Sequence, residues 1–481
     1  WLMLATFGKK VISFLVFYII ARRVGPLLTG KYFYAVSITS VFVVLADFGL
    51  TPVVIREMAS DLDRGRAALA RALRLKWFLL PLAVTCSIVY AWIVKAEPEV
   101  FAAVLVACLV LSADSISLLW YGALRGKKDL RFEAFGMLIC QFITGIVAVL
   151  ATFFARTVAS LVFALLCGSI WNVAWSYIWA RRLGMQATGV TPWPLRKMAL
   201  AALPFGLAGL FVKVYSYLDS LLIREFHGHE AVGQYAVAYK LTYALQFLPL
   251  TFVAALYPAM SSAYARGDKE ALKGALLGSL RLMMLTSVPL AAILSSLASP
   301  IVLTLYRAEY SGAIIPLTIL PWVLVPIFLD FPVGSLLNAS HRSVYKTGAM
   351  GVAMIVNAIG NILLVPTFGP TGAAWSAIIS FILLFSVGLY FIRRELPPIS
   401  WCFALLARGA VVAVFTWLAG IWLRDRAPLV MSLLFTGSVA ALLLFATRLL
   451  QTADIIRLLG WLRRRPVEPP GEIDEEGGAH V

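Results

Sequence analysis

The stretch GKYFYA at residues 30–35 returns as GQYAVA at residues 233–238. Both copies read G-x-Y-x-x-A, each opens a new hydrophobic run, and they stand 203 residues apart. Lys10 and Lys213 repeat at the same spacing, inside two of the most apolar stretches of the chain. The pattern predicts a duplicated membrane protein that places matching cations near the middle of the bilayer.

A lysine at mid-membrane costs roughly 2.5–3.5 kcal/mol on insertion scales, so it usually lines a cavity or a pathway. The alternative is that both side chains extend along their helices and place their ammonium groups at an interface. Lys10 and Lys213 lie close to the midpoints of their hydrophobic runs, which favours the pathway.

The composition predicts an all-α, polytopic membrane protein of about 14 transmembrane helices. Hydrophobic residues make up 61% of the 481 residues and charged residues only 14%, unlike a soluble chain of this length. The apolar runs are long enough to cross the hydrocarbon core and lack the alternation of barrel strands. They cover residues 2–21, 32–55, 77–94, 100–121, 132–154, 158–179, 199–223, 232–256, 282–305, 313–336, 345–365, 371–392, 402–423 and 428–448.

The distribution of Lys and Arg predicts that both termini are cytoplasmic. Connections on the side of the termini carry 27 of these cations, whereas the opposite side carries nine. The net charge of +17 is therefore distributed as topology requires and does not indicate nucleic-acid binding. We expect a multi-pass protein of the cell membrane, with a Pro-, Gly- and acid-rich tail that is disordered.

Catalytic and metal-binding motifs are weak. Asp61-Leu62-Asp63 matches the D-x-D of many glycosyltransferases, but it stands in a short basic loop, where a solvated loop is the simpler interpretation. His227 and His229 could be a metal pair, but no third ligand lies nearby in the sequence. No connection exceeds about 25 residues, which leaves no room for a soluble catalytic or ATPase domain. The sequence predicts a non-enzyme without a metal or cofactor.

Polar residues within the spans define the candidate interior. They are concentrated in the first, second, seventh and eighth runs and include more cations than anions. The set comprises Lys9, Lys10, Asp47, Asp114, Lys213, Lys240 and Asp330. Each could be an interhelical hydrogen-bonding group, but together they predict a cation-rich cavity.

Several short segments occur in a characteristic order along the chain. They are RVGP (23–26) through GKY (30–32), DFGL (47–50) leading to RE (56–57), LRG (124–126), VGQYAVAYKL (232–241), LNASHR (337–342), and residues 357–361 leading to LVPTFGPTGAA (364–374). These segments resemble the polysaccharide transport family, the Wzx-type flippases of lipid-linked oligosaccharides within the MOP superfamily, whose relatives include the MurJ lipid II flippases and MATE antiporters. The similarity runs over roughly residues 5–395 and leaves the last two helices generic.

The resemblance implies two six-helix lobes in a parallel pseudo-repeat around a central cavity, residues 1–197 and 198–395. It adds two C-terminal helices in residues 396–450 and a cytoplasmic tail in residues 451–481. It also implies a substrate, a polyprenyl pyrophosphate carrying an oligosaccharide, which moves from the cytoplasmic to the outer leaflet. Lysines in a low-dielectric cavity suit the pyrophosphate.

Our hypothesis for the site places Lys10 and Lys213 across the pseudo-twofold axis, where they bind the pyrophosphate, with Lys9 and Lys240 beside them. Lys9 and Lys10 point about 100° apart, so only one faces the axis. The repeat favours Lys10 because it pairs with Lys213. Arg56 either passes the headgroup in from the cytoplasm or is a topological anchor paired with Glu57.

Asp47, Asp114 and Asp330 could couple transport to H⁺ or Na⁺, or they could serve helix packing. Two rival functions remain open: a MATE-like exporter of cations, disfavoured by the lysines, and a polytopic glycosyltransferase or polymerase, disfavoured by the short outer connections. We expect a monomer in the lipid bilayer, and the sequence leaves open whether it works alone or beside a polysaccharide polymerase.

Overall fold

The computed structural model describes residues 2–127, 129–185, 192–395 and 399–450, and every regular element in those ranges is helical. The predicted disordered tail, residues 451–481, lies outside them. The helices are α1 (Leu2–Asp47), α2 (Leu50–Ser60), α3 (Leu62–Ile93), α4 (Pro98–Gly126), α5 (Arg131–Phe154), α6 (Val158–Arg182), α7 (Leu195–Ala244), α8 (Phe247–Ala265), α9 (Lys269–Ser296), α10 (Ala298–Tyr306), α11 (Ile314–Ile319), α12 (Leu324–Ala339), α13 (Ser343–Phe368), α14 (Pro370–Phe391), α15 (Ile399–Leu423) and α16 (Leu429–Ala446). The predicted all-α class is confirmed.

Twelve helical stretches within the described ranges are long and apolar enough to cross a membrane. Two of them, Ala5–Asp47 and Leu195–Leu250, contain 43 and 56 residues, which is far more than one crossing needs. Each of these two stretches covers most of two of the fourteen predicted runs. The protein is therefore a multi-pass membrane protein, and twelve stretches accommodate fourteen crossings.

A glycine divides each of the two long helices. Gly25 has φ 78° and ψ 174° within α1, and Gly228 has φ 81° and ψ −179° within α7. Side chains disfavour this backbone region, whereas glycine adopts it readily. The two glycines are separated by the same 203 residues as the sequence repeat, so the turn between crossings is itself duplicated.

The two copies of the repeat meet directly after these turns. A Cβ on Gly30 would lie 1.7 Å from the carbonyl oxygen of His229, and one on Gly233 would lie 1.9 Å from that of Pro26. His229 is the repeat equivalent of Pro26, as Gly233 is of Gly30. The crossing of α1 and α7 is therefore made of equivalent backbone contacts, as the predicted duplication requires.

The short basic loop predicted around Asp61 and Asp63 is wrong, because α2 ends at Ser60 and α3 already begins at Leu62. The predicted run 32–55 also breaks early, at a turn where Phe48 and Gly49 both have positive φ. Helix α3 begins at Leu62, and the Asp61 side chain caps it by accepting a hydrogen bond from the Arg64 amide at 2.8 Å. Hydropathy could not detect this helical extension because its residues are charged.

Helix packing separates the chain into neighbourhoods. Helix α1 packs against α3, α4, α5 and α6, whereas α7 packs against α13 and α14, and α8 against α9 and α12. Helix α15 lies on α9, and α16 lies on α15 and α9. The contact between α1 and α7 joins the two neighbourhoods. The lobe boundaries at residues 197 and 395 stay a prediction.

Candidate substrate site

Four lysines project from the two long helices. Lys9 and Lys10 lie in the first half of α1, Lys213 in the first half of α7 and Lys240 in its second half. Lys10 is exposed, and the other three are half-buried. None of the four forms a salt bridge or a hydrogen bond with any residue that the structure describes. Four ammonium groups are thus available to a ligand.

Lys240 sits among aromatic rings. Its Nζ lies 5.6 Å from the ring centroid of Phe17 and 5.8 Å from that of Phe33, both on α1. Lys10 is close enough for its charge to repel that of Lys240. These two lysines, one from each long helix, therefore border the same space.

The second pair of lysines lies near a carboxylate. Asp114 on α4 is close enough to Lys9 and Lys213 for their charges to attract it, and Ser169 of α6 lies beside it. Asp114 is solvent-exposed and has no salt bridge within the described ranges. Lys213 also lies over the ring of Tyr217, with Nζ 5.4 Å from the centroid. The site thus combines four cations with one anion.

The structure distributes the adjacent lysines between different neighbours. Lys9 shares Asp114 with Lys213, whereas Lys10 neighbours Lys240. Lys9 and Lys10 point about 100° apart on α1, and each approaches a different lysine of α7. The pairing of Lys10 with Lys213 in a pyrophosphate site stays a prediction.

Asp47, a candidate for ion coupling, has a partner that sequence reasoning missed. Lys76 is only 2% exposed, and its Nζ donates to Asp47 Oδ1 at 3.1 Å, to Ser115 Oγ at 2.6 Å and to the Ala46 carbonyl at 3.1 Å. Thr51 Oγ1 donates to the same carboxylate oxygen at 2.7 Å. The group therefore fixes the turn between α1 and α2 against α3 and α4.

Asp330 has a partner of the same kind. The Lys346 ammonium forms a salt bridge with Asp330 Oδ2, which joins α12 to α13. Both Lys76 and Lys346 are among the 27 cations that the charge distribution places on the side of the termini. Each lysine stands beside the start of a hydrophobic run, and this is the signal that could have placed it in the interior.

Arg56 lies on α2, half of its side chain is exposed, and its Nε donates to Glu57 Oε1 at 3.0 Å. This geometry matches the anchoring interpretation, in which Arg56 pairs with its neighbour. Its role in passing on the headgroup stays a prediction.

Titratable residues near the Gly30–Gly233 crossing form a further cluster, which we call the end seal: Lys31, Glu97, Glu99 and His229. Lys31 Nζ lies 2.7 Å from Glu97 and 3.0 Å from Glu99, and His229 Nε2 lies 3.8 Å from Glu97. The hydrogen bond from Lys31 holds the pKa of the Glu97 carboxyl below its usual range. The end seal links the start of α4 to both long helices.

Tyr310 forms further hydrogen bonds to α1 at the same end of the protein as the end seal. Its hydroxyl lies 2.9 Å from Thr29 Oγ1 and donates to the Ala21 carbonyl at 2.9 Å. Arg22 reaches the Leu305 carbonyl at 3.4 Å. Residues from the two sequence halves are therefore bonded to each other where the predicted outer connections lie.

His227 and His229 do not act together. His227 Nε2 lies 2.8 Å from the Val365 carbonyl, whereas His229 is buried in the end seal. No group of three or more His, Cys, Asp or Glu side chains that could hold a metal occurs in the described residues.

Comparison with known proteins places these features in a family. A family model described as polysaccharide biosynthesis protein matches residues 1–264, and the MatE model matches residues 204–363. An uncharacterized membrane protein of Methanocaldococcus jannaschii is 26% identical over 49% of this chain and 46% of its own length, so the match spans about half of that relative. The probable low-salt glycan biosynthesis flippase Agl15 of Haloferax volcanii is 21% identical over 83% of this chain and 85% of its own.

Solved structures show the same fold. The lipid II flippase MurJ in an inward closed conformation aligns with a TM-score of 0.74, covering 94% of this chain and 99% of that one at 13% identity. An inward-facing multidrug resistance MATE family transporter of the MOP superfamily aligns with a TM-score of 0.63, covering 80% and 94% at 15% identity.

Proposed function

Because the chain belongs to the polysaccharide biosynthesis protein family, whose model matches more than half of it, we propose that it is a flippase for lipid-linked oligosaccharide. The substrate is a polyprenyl pyrophosphate that carries a glycan, and it moves from the cytoplasmic to the outer leaflet. The protein is a transporter and not an enzyme.

The observation that carries this proposal is the unpaired positive charge of Lys9, Lys10, Lys213 and Lys240. One carboxylate, Asp114, lies near two of them. Cations without partners inside a membrane protein are costly, and an anionic ligand offsets that cost. A pyrophosphate offers several oxygens to lysine ammonium groups, and such charge-assisted hydrogen bonds are short and strong.

Alternating access follows from how the halves are joined. The end seal, Tyr310 and the glycine crossing hold the halves together at one end, which we assign to the outer side from the positive-inside pattern. The lysine site would then load from the cytoplasm, and separation of the end seal would release the glycan outside. The similarity to an inward closed flippase supports a fold that passes through such states.

The same proposal covers the cellular setting. Both termini are cytoplasmic, the protein is a monomer in the cell membrane, and it delivers substrate to a polysaccharide polymerase. Coupling to H⁺ or Na⁺ would use Asp114, since Asp47 and Asp330 are already engaged with lysines.

The test is reconstitution into liposomes that hold a fluorescent polyprenyl-pyrophosphoryl oligosaccharide, with a membrane-impermeant quencher that reports the leaflet. Protein-dependent movement of this lipid, with no movement of a fluorescent phosphatidylcholine, is the expected result. Movement of neither lipid, across several glycan lengths, would contradict the proposal.

A second candidate is a MATE-like exporter, favoured by the MatE match to residues 204–363. It predicts gradient-driven uptake of a cationic dye such as ethidium into inverted vesicles. The excess of lysines argues against it, because they repel a cationic substrate.

A further inference from the structure

The second half of the chain forms an open cavity of about 380 Å³, bordered by α7, α8, α12, α13 and α14. This volume is at the lower end of the ~300–1,000 Å³ that small-molecule sites occupy. We call it the C-half cavity. It lies outside the four-lysine site, and nothing above assigns it a ligand.

The C-half cavity presents polar groups that the protein leaves unused. The amides of Gln246 and Asn338 and the hydroxyls of Tyr239 and Tyr243 line it. None of these four side chains makes a hydrogen bond to a described residue. Two amides and two phenols offer both donors and acceptors, which is the mixture that a polyhydroxyl ligand requires.

Aromatic faces border the same space. The rings of Tyr239 and Tyr243 lie 4.3 Å apart, with 30° between their planes, and both line the cavity. Such rings combine an apolar face with a polar tip, and they suit a ligand that is apolar on one side and hydroxylated at its edge. A pyranose ring has this character.

The charge in the cavity is balanced. Asp330 and Lys346 both line it and are paired with each other. The second carboxylate oxygen, Asp330 Oδ1, is buried and has no hydrogen-bond partner among the described residues. A neutral cavity favours an uncharged ligand over an anion or a cation.

The C-half cavity adjoins the lysine site. Tyr239 precedes Lys240 in α7, and it lies near Tyr217, whose ring is under Lys213. A group attached directly to a pyrophosphate at Lys213 and Lys240 would therefore reach the cavity. In a lipid-linked oligosaccharide, that group is the first sugar.

We propose that the C-half cavity binds the first one or two sugars of the transported glycan, through Gln246, Asn338, Tyr239 and Tyr243. The proposal rests on the flippase function proposed above. It makes the second half of the chain the part that selects the glycan, whereas the lysines select the pyrophosphate.

The test compares transport of two fluorescent carriers in liposomes: polyprenyl pyrophosphate alone, and polyprenyl pyrophosphate bearing each of a panel of mono- to tetrasaccharides. The readout is the ratio of glycan-bearing to bare transport. We expect wild type to prefer at least one glycan. Gln246→Ala combined with Asn338→Ala should lower that preference about tenfold, because it removes two hydrogen-bonding groups.

Tyr243→Phe should lower the preference less, and Tyr264→Phe is its matched control. Tyr264 is a tyrosine of α8 that lies outside the cavity. A preference that is unchanged in the cavity variants, or lost equally in Tyr264→Phe, would overturn the proposal. Wild type that moves only the bare carrier would also overturn it and leave carrier flipping intact, whereas movement of neither carrier would refute the flippase function itself.

Discussion

Gly30 and Gly233 pack backbone to backbone, and a Cβ built on either one would come within 3.0 Å of the other's amide nitrogen. The contact brings together equivalent points of the sequence repeat. It sits between the paired crossings of α1 and those of α7, next to the end seal. A larger side chain at either position could not be accommodated without moving the helices.

Alanine at this crossing should be strongly destabilising. In Gly30→Ala and Gly233→Ala, the new Cβ meets a carbonyl oxygen at 1.7 Å or 1.9 Å, and backbone cannot rotate away as a side chain can. We expect a loss of about 3 kcal/mol or more, seen as a lower Tm of the detergent-solubilised protein.

The matched controls are Gly274→Ala and Gly278→Ala, mid-helix positions of α9 where a Cβ meets nothing within 4 Å. These should be neutral or stabilising, since alanine favours a helix over glycine by about 1 kcal/mol. Equal Tm values for the two groups would contradict the close crossing.

Lys76 should be essential to the fold. Lys76→Met removes the partner of Asp47 and leaves that carboxylate facing a buried methionine, which costs about 3–5 kcal/mol for a buried pair. Lys76→Met combined with Asp47→Leu should recover most of this loss, because no charge is left unpaired. Thermal unfolding of the three variants measures both effects, and a double variant as unstable as Lys76→Met alone would disprove the pairing.

Asp114 should carry any ion coupling. Asp114→Asn removes the charge beside Lys9 and Lys213 and should make the flipping rate indifferent to H⁺ and Na⁺ gradients, whichever of them drives the wild type. The measurement imposes each gradient separately on proteoliposomes. A wild-type rate that responds to neither gradient would remove coupling from the mechanism.

Lys31→Ala should loosen the end seal. Spin labels at Lys95 and Glu230, exposed positions on either side of it, should report a longer distance between them in the variant than in otherwise unaltered protein. Unchanged distance distributions would contradict a role for the end seal in holding the halves together.

Acid should act on the same contact in a defined direction. The pKa of Glu97 is depressed in the folded protein, so its contribution to stability is present above the ordinary carboxyl range and is lost as pH falls through the lowered value. In the spin-labelled protein that retains Lys31, the distance between the labels should therefore stay constant between pH 5 and 8. A distance that lengthens within this window would assign the pH response of the end seal to a group other than Glu97.

The membrane class, the crossings and the repeat could be predicted from the sequence. The length of the apolar runs and the 203-residue spacing are both visible in the order of the residues, without knowledge of the packing. The lysines of the interior were also found, since each interrupts an apolar run. The ion pairs of Asp47 and Asp330 were missed. Their partners, Lys76 and Lys346, stand at run boundaries, where a lysine that enters the interior and one that faces the cytoplasm look alike.

The backbone turns were missed for a different reason. Gly25 and Gly228 are two glycines among 34, and only their positive φ and the crossing that follows them reveal their role. The C-half cavity has no sequence motif, because its side chains come from five helices. Only the packed structure brings Gln246 and Asn338 together.

If the interior lysines bind the pyrophosphate of a lipid-linked glycan, removing their charge should slow its transport. We would measure the flipping rate of a fluorescent polyprenyl-pyrophosphoryl oligosaccharide in proteoliposomes of wild type, Lys9→Ala, Lys10→Ala, Lys213→Ala and Lys240→Ala, with Lys269→Ala, an exposed lysine at the start of α9, as the control. We expect a loss of at least about tenfold in Lys213→Ala and Lys240→Ala, and in at least one of the two α1 variants, with the control unaffected. Wild-type rates in all four interior variants, at equal expression and Tm, would contradict pyrophosphate binding by these lysines.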